Sequence, residues 1–245
     1  ALRGGKFAST SQINPVVYEE AFRKTLEEGK DILYLCFSSG LSSTYQSVQI
    51  AVKDLEEEFP ERKIVCIDTL CASVGEGFLV REAARLQSEG LSMEELADWV
   101  MAHRLDICHW FTVDMFDHLR HGGRVSAAAA AIGTVLRIKP VLQIQGEKLD
   151  AYAKVKTLKA AKSTMIKAIR HDFEERFHDP DGDNFYMHVA YTADDTEAQA
   201  FRKELEKEFP GHEVDFVDPL SLSVSCHIGP GALAVAISKK VPELG

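Results

Sequence analysis

Ile32-Leu33-Tyr34-Leu35-Cys36-Phe37-Ser38-Ser39-Gly40-Leu41-Ser42-Ser43-Thr44-Tyr45-Gln46-Ser47 is the stretch from which the fold is read. Its first six residues form a continuous apolar run of strand length, closed by a hydroxyl-rich glycine turn. From Tyr45 to Val52 the spacing becomes helical. Strand, turn and helix in this order make the unit of an α/β protein. Such a turn gathers unpaired backbone N–H groups and hydroxyls at the positive end of a helix, which suits a small anion. The same residues also make an ordinary helix cap, since Ser and Thr are common there. The stretch alone leaves both readings open.

The pattern repeats outward from this point. Further strand-like runs are Lys63 to Asp68, His109 to Val113, Val141 to Gln145, Leu149 to Val155, Phe185 to Tyr191, Glu213 to Val217 and Val224 to His227. Amphipathic helices lie between them. Ser92 and Glu95 fit a capping box, with Leu91 and Leu96 at the staple positions. Gln145 to Leu149 reads as a hairpin turn, Thr157 to Glu175 as one long helix, and Ser126 to Ala131 as a small-residue helix. An internal echo, Leu55-Glu-Glu-Glu-Phe59-Pro60 and Leu205-Glu-Lys-Glu-Phe209-Pro210, leads each time from a helix stopped before proline into a strand. A boundary between Val113 and Gly123 divides the chain into an N-terminal α/β domain, residues 1–118, and a C-terminal one, residues 119–245.

Composition narrows the function. The 245 residues carry 28 Lys and Arg against 38 Asp and Glu, a formal charge of −10. A chain this acidic has no general attraction to nucleic acid or anionic lipid surfaces, so an anionic ligand must be held by local groups. No apolar run approaches the roughly 20 residues of a membrane span, and stable membrane insertion is not expected. The cysteines Cys36, Cys66, Cys71, Cys108 and Cys226 show no CxxC pairing, which argues against metal sites and fits free thiols in a reducing cytoplasm. Ala1 stands where a Met would open a chain, and an N-terminal portion is expected to precede it.

Four segments concentrate glycine, hydroxyl and basic groups: Thr10-Ser11-Gln12; the turn at 38–47; His121-Gly122-Gly123-Arg124; and His227-Ile228-Gly229-Pro230-Gly231. In order and spacing, from Thr10 to about Ile237, they resemble the DegV family, the bacterial fatty-acid-binding proteins that serve as acyl carriers for fatty acid kinase. The resemblance implies two α/β domains with a lipid-binding cleft between them. It implies a long-chain fatty acid as ligand, its carboxylate held by Thr10 and Ser42, with Ser39 and Gly40 lining the same turn. Arg124 and His227 would lie near the head group. It further implies no cofactor, no catalysis by the chain itself and a separate kinase subunit as partner. Ile13 departs from the family pattern, in which proline follows Thr-Ser-Gln. So do Ser43, where glycine is common, and the absence of the family's opening strand.

The implied chemistry is physically coherent. A carboxylate leaving water needs its hydration replaced, and hydroxyls together with helix N-terminal N–H groups can do so. Each buried methylene of the acyl chain adds roughly 0.8 kcal/mol. The alternative is a serine hydrolase acting on acyl esters through Ser39 or Ser42 with His227. It lacks the Gly-x-Ser-x-Gly elbow. Nucleotide binding lacks both a Walker A loop and Gly-x-Gly-x-x-Gly.

Overall fold

The structure, a computed structural model, describes residues 4–124, 138–182, 184–212 and 214–241. The stretch at 32–47 folds as a strand, β1 (Ile32–Cys36), a turn, and a helix, α2 (Thr44–Glu58). Before it stands α1 (Pro15–Glu27), started by the Asn14 side chain, which accepts from the Val17 N–H, and by proline at the first turn. After it comes β2 (Ile64–Asp68), which pairs in parallel with β1, Ile32 opposite Ile64. Tyr18, Phe22 and Leu26 of α1 and Val48, Ala51 and Leu55 of α2 share one buried cluster with Ile32 and Ile64. Their three- and four-residue spacing is the apolar stripe that each helix needs to bury.

Two helices, α3 (Val74–Ser88) and α4 (Met93–His103), lead to β3 (Ile107–Thr112). Ser92 and Glu95 form the expected capping box of α4. The short α5 (Asp117–His121) follows, then the hairpin of β4 (Lys139–Gln145) and β5 (Lys148–Val155), with Gly146 at a left-handed φ of 59° in its turn. The helix expected from Thr157 to Glu175 is α6 (Leu158–His171), which runs into a π-helical turn at Asp172–Arg176. The remaining elements are β6 (Phe185–Tyr191), α7 (Thr196–Glu208), β7 (Val214–Pro219), α8 (Leu222–Ile228) and β8 (Leu233–Lys239). The helix read at Ser126 to Ala131 lies outside the described residues.

The larger sheet has the order β5-β4-β3-β8-β6-β7. All its pairs are antiparallel except β6 with β7. Side chains alternate across it as strand geometry requires. Leu233, Val235 and Ile237 of β8 join Trp110 under α6 and α7, packed with Met165, Phe173 and Phe201. Ala236 and Ile107 face Phe78 and Leu79 of α3 on the opposite side. The internal echo is explained here. Each copy ends a helix that connects two parallel neighbours, β1 to β2 through α2 and β6 to β7 through α7.

Two features differ from the sequence expectation. Val224 to His227 belong to a helix, capped by the Ser221 side chain at the Val224 N–H, and the strand is the later run Leu233–Lys239. Four residues of alternating character carry too little periodicity to separate the two structures, and the cap was the stronger signal. In addition, β3 pairs with β4 and β8, so the chain passes from the smaller sheet to the larger between Asp68 and Ile107.

Candidate functional site

The turn after β1 is built by its own polar groups and those of the neighbouring strand. The Ser38 N–H donates to the Cys71 carbonyl at 2.8 Å, and the Ser39 N–H to the Asp68 carboxylate at 3.1 Å. The Gly40 N–H reaches the Ser38 hydroxyl at 3.2 Å. Ser42 Oγ accepts from the Thr44 N–H at 3.2 Å and lies 2.8 Å from the Thr44 hydroxyl. The arrangement in which Thr44 donates both bonds fills the two Ser42 lone pairs and leaves the Ser42 O–H to an anion; the reverse hydroxyl direction would spend that proton on Thr44. No acidic residue occupies the first turn of α2, so the positive end of the helix has no resident carboxylate there.

Two of the other segments bond this turn, and the fourth joins them through Thr10 and Gly122. Gln12 Nε2 donates to the Ser43 carbonyl at 2.8 Å and also bonds the Ser47 hydroxyl. Arg124 Nε donates to the Leu41 carbonyl at 3.2 Å, and a second guanidinium nitrogen bonds the Gly122 carbonyl. Thr10 Oγ1 lies 2.9 Å from His227 Nε2. Gly122 is a glycine for packing reasons, because a Cβ there would stand 2.6 Å from His227 Nδ1. Of the residues singled out in sequence, Thr10 meets His227, and Arg124 meets the turn that carries Ser39, Gly40 and Ser42.

Electrostatics set the state of His227. Burial lowers its pKa first, and the positive charge of Arg124 adds to the effect, so the ring is neutral near pH 7. A neutral ring that donates through Nε2–H to Thr10 Oγ1 leaves the Thr10 proton free for an acceptor beyond. Its Nδ1 has no hydrogen-bond partner among the described residues.

An open cleft of about 510 Å³ lies beside the turn, lined by Gly40, Leu41 and Arg124 and by Glu147, Lys148 and Leu149 of the hairpin; Thr10, Ser42 and His227 are not among its lining residues. The turn and the hairpin touch at Gly40. A Cβ there would lie 1.8 Å from the Glu147 carbonyl oxygen, so only glycine lets the hairpin turn come this close. Glu147 was not identified in sequence, because nothing local in a Gly-Glu-Lys hairpin turn announces a distant glycine. Thr44 and Gln12 are the other unassigned contributors. Both lay inside recognised segments.

Comparison with known proteins follows the same lines. A family model described as "Uncharacterised protein, DegV family" matches residues 2–240. A DegV domain-containing protein of Clostridium perfringens is 38% identical over 236 residues, which cover 96% of this chain and 78% of that protein. The Lactococcus lactis protein YteA, also DegV domain-containing, is 37% identical over 245 residues, 99% of this chain and 82% of its own. Among solved structures, a DegV family protein from Thermus thermophilus, described by its fatty acid binding, has a TM-score of 0.82. It is 31% identical, with 97% of this chain and 81% of that chain covered. A DegV lipid binding protein from Thermotoga maritima has a TM-score of 0.81 at 26% identity, with 98% and 80% covered.

Proposed function

This chain belongs to the DegV family, and we propose that it binds a long-chain fatty acid and presents the carboxylate to a separate kinase. One observation carries the reading: four segments far apart in sequence are linked by contacts, Gln12 and Arg124 bonding the turn at Ser43 and Leu41, and Thr10 bonding His227. The hydroxyls of Thr10 and Ser42 donate to the carboxylate, and the N-terminus of α2 supplies a favourable dipole. Ser39 and Gly40 shape the turn, and Arg124 fixes it to Gly122. The acyl chain lies away from the cleft mouth among apolar side chains, with the described relatives from Thermus and Thermotoga as support. The setting is the cytoplasm, with no cofactor.

The kinase partner performs the chemistry. A carboxylate oxygen attacks the terminal phosphorus of ATP, the bond to ADP breaks, and an acyl phosphate remains on the carrier. The two units proposed for this carrier are the one built on β1 and β2 and the one built on the larger sheet, which takes in β3, with the head group at their junction. Incubating the fatty-acid-loaded protein with a purified fatty acid kinase subunit and ATP, then trapping with hydroxylamine, tests the reading. Acyl hydroxamate that requires all three components supports it. Hydrolysis of acyl esters by the protein alone, abolished in Ser42→Ala, contradicts it. The hydrolase alternative is disfavoured by geometry, since the His227 Nε2 that would activate a serine is engaged with Thr10. No acid orients its Nδ1 among the described residues.

A further inference from the structure

Thr10 sits in an exposed segment outside any helix or strand, yet its hydroxyl is registered against His227. Something must fix that segment. Three residues upstream, Phe7 lies against two histidines one turn apart on α5. Its ring centroid is 4.9 Å from that of His118 and 4.7 Å from that of His121, and it is stacked at 23° on the latter. His118 is itself immobilised. It is buried, and a Cβ at Gly229, whose φ is 74°, would lie 2.4 Å from its ring. The same α5 ends at Gly122, packed against His227. One short helix therefore holds Phe7 through its side chains and His227 through its C-terminal glycine. Phe7 is half exposed, so its ring contributes little to the core.

We propose that Phe7 is a positioning residue, clamped between His118 and His121, that holds residues 7–12 in the register placing Thr10 at His227. The proposal rests on the fatty-acid-binding reading for its consequence, since a segment ordered beforehand costs the ligand less to bind. Removing the ring leaves Thr10 intact but unregistered, and the ligand must then order the segment itself.

The test uses the full chain and a fluorescent polyene fatty acid as probe. Phe7→Ala should weaken binding by about tenfold at most, the worth of the aromatic contacts, with the melting temperature unchanged. Phe7→Trp should restore it. In a Thr10→Ala background, Phe7→Ala should add no further loss, because its effect passes through Thr10. Parent-like binding by Phe7→Ala overturns the proposal, as does a loss that simply adds to that of Thr10→Ala. Backbone NMR order parameters keep the clamp testable apart from binding. Residues 8–12 should show lower order parameters in Phe7→Ala than in the parent, and unchanged values refute the clamp. A parent that binds no fatty acid but shows this difference refutes the functional reading alone.

Discussion

The Thr10 hydroxyl and the His227 ring meet at 2.9 Å across 217 positions of sequence. That contact joins the segment before α1 to the last turn of α8. Thr10→Val removes the hydroxyl at nearly constant volume. Fatty acid affinity should fall roughly tenfold to a hundredfold, the range for a hydrogen bond to a charged group. Thr10→Ser should retain most of it. Fluorescence titration decides, and equal affinity for the parent and Thr10→Val removes Thr10 from the site.

Arg124 acts twice, as a brace on the Leu41 carbonyl and as a charge beside His227. Arg124→Leu removes the charge that helps to hold the His227 pKa down, so that pKa should move upward, while burial still keeps it below the ordinary value. An NMR titration of the His227 ring reads this directly. A shift in the other direction, or none, would separate the two residues. Arg124→Lys keeps the charge but loses the planar fork, and binding should weaken roughly threefold to tenfold.

Gly40 is the point where the turn and the hairpin touch. Gly40→Ala drives a methyl group into the Glu147 carbonyl, and backbone cannot swing aside as a flexible side chain can. Stability should drop by about 1–3 kcal/mol, with weaker fatty acid binding as the hairpin is displaced. Thermal unfolding measures the first effect. An unchanged melting temperature would mean that the hairpin does not rest on this turn.

Burial pushes His109 down to about 4 and Glu76, in the first turn of α3, up to about 7. Their effects on stability have opposite signs. Unfolded His109 takes up a proton more readily than folded, so this group costs stability as pH falls from about 6.5 toward 4. Folded Glu76 holds its proton more tightly, so this group costs stability as pH rises from about 4.5 through 7. Glu76→Gln should therefore be more stable than the parent at pH 7.5, by up to about 3 kcal/mol, and the gap should close by pH 4.5. Denaturant unfolding at both pH values checks it; a gap that widens on acidification contradicts the sign.

Much of this was legible in sequence, for reasons that are local. The strand and helix around Ser38-Ser39-Gly40 follow from an apolar run and a hydroxyl turn, and the cap at Ser92 follows from four consecutive residues. Those signals need no partner. What stayed hidden depends on contact between distant positions. The place of β3 at the centre of the larger sheet is fixed by its pairing with β8, more than 120 residues later. The role of Gly40 depends on Glu147, and that of Gly122 on His227. Val224 to His227 misled because four alternating residues fit either element, and packing beside α5 decided for helix. Thr10, Arg124 and His227 were named as ligand residues only through a family resemblance, and no local signal announces that Thr10 bonds His227 or that Arg124 bonds Leu41.

The central claim, that these segments form a carboxylate clasp, is tested most directly by native mass spectrometry of the purified chain and of Thr10→Val/Ser42→Ala. The account predicts near one-to-one mass of a long-chain fatty acid on the parent, released and identified on denaturation, and little or none on the folded double variant. A parent free of fatty acid that stays free when oleate is added, or a double variant that retains full occupancy, would contradict it.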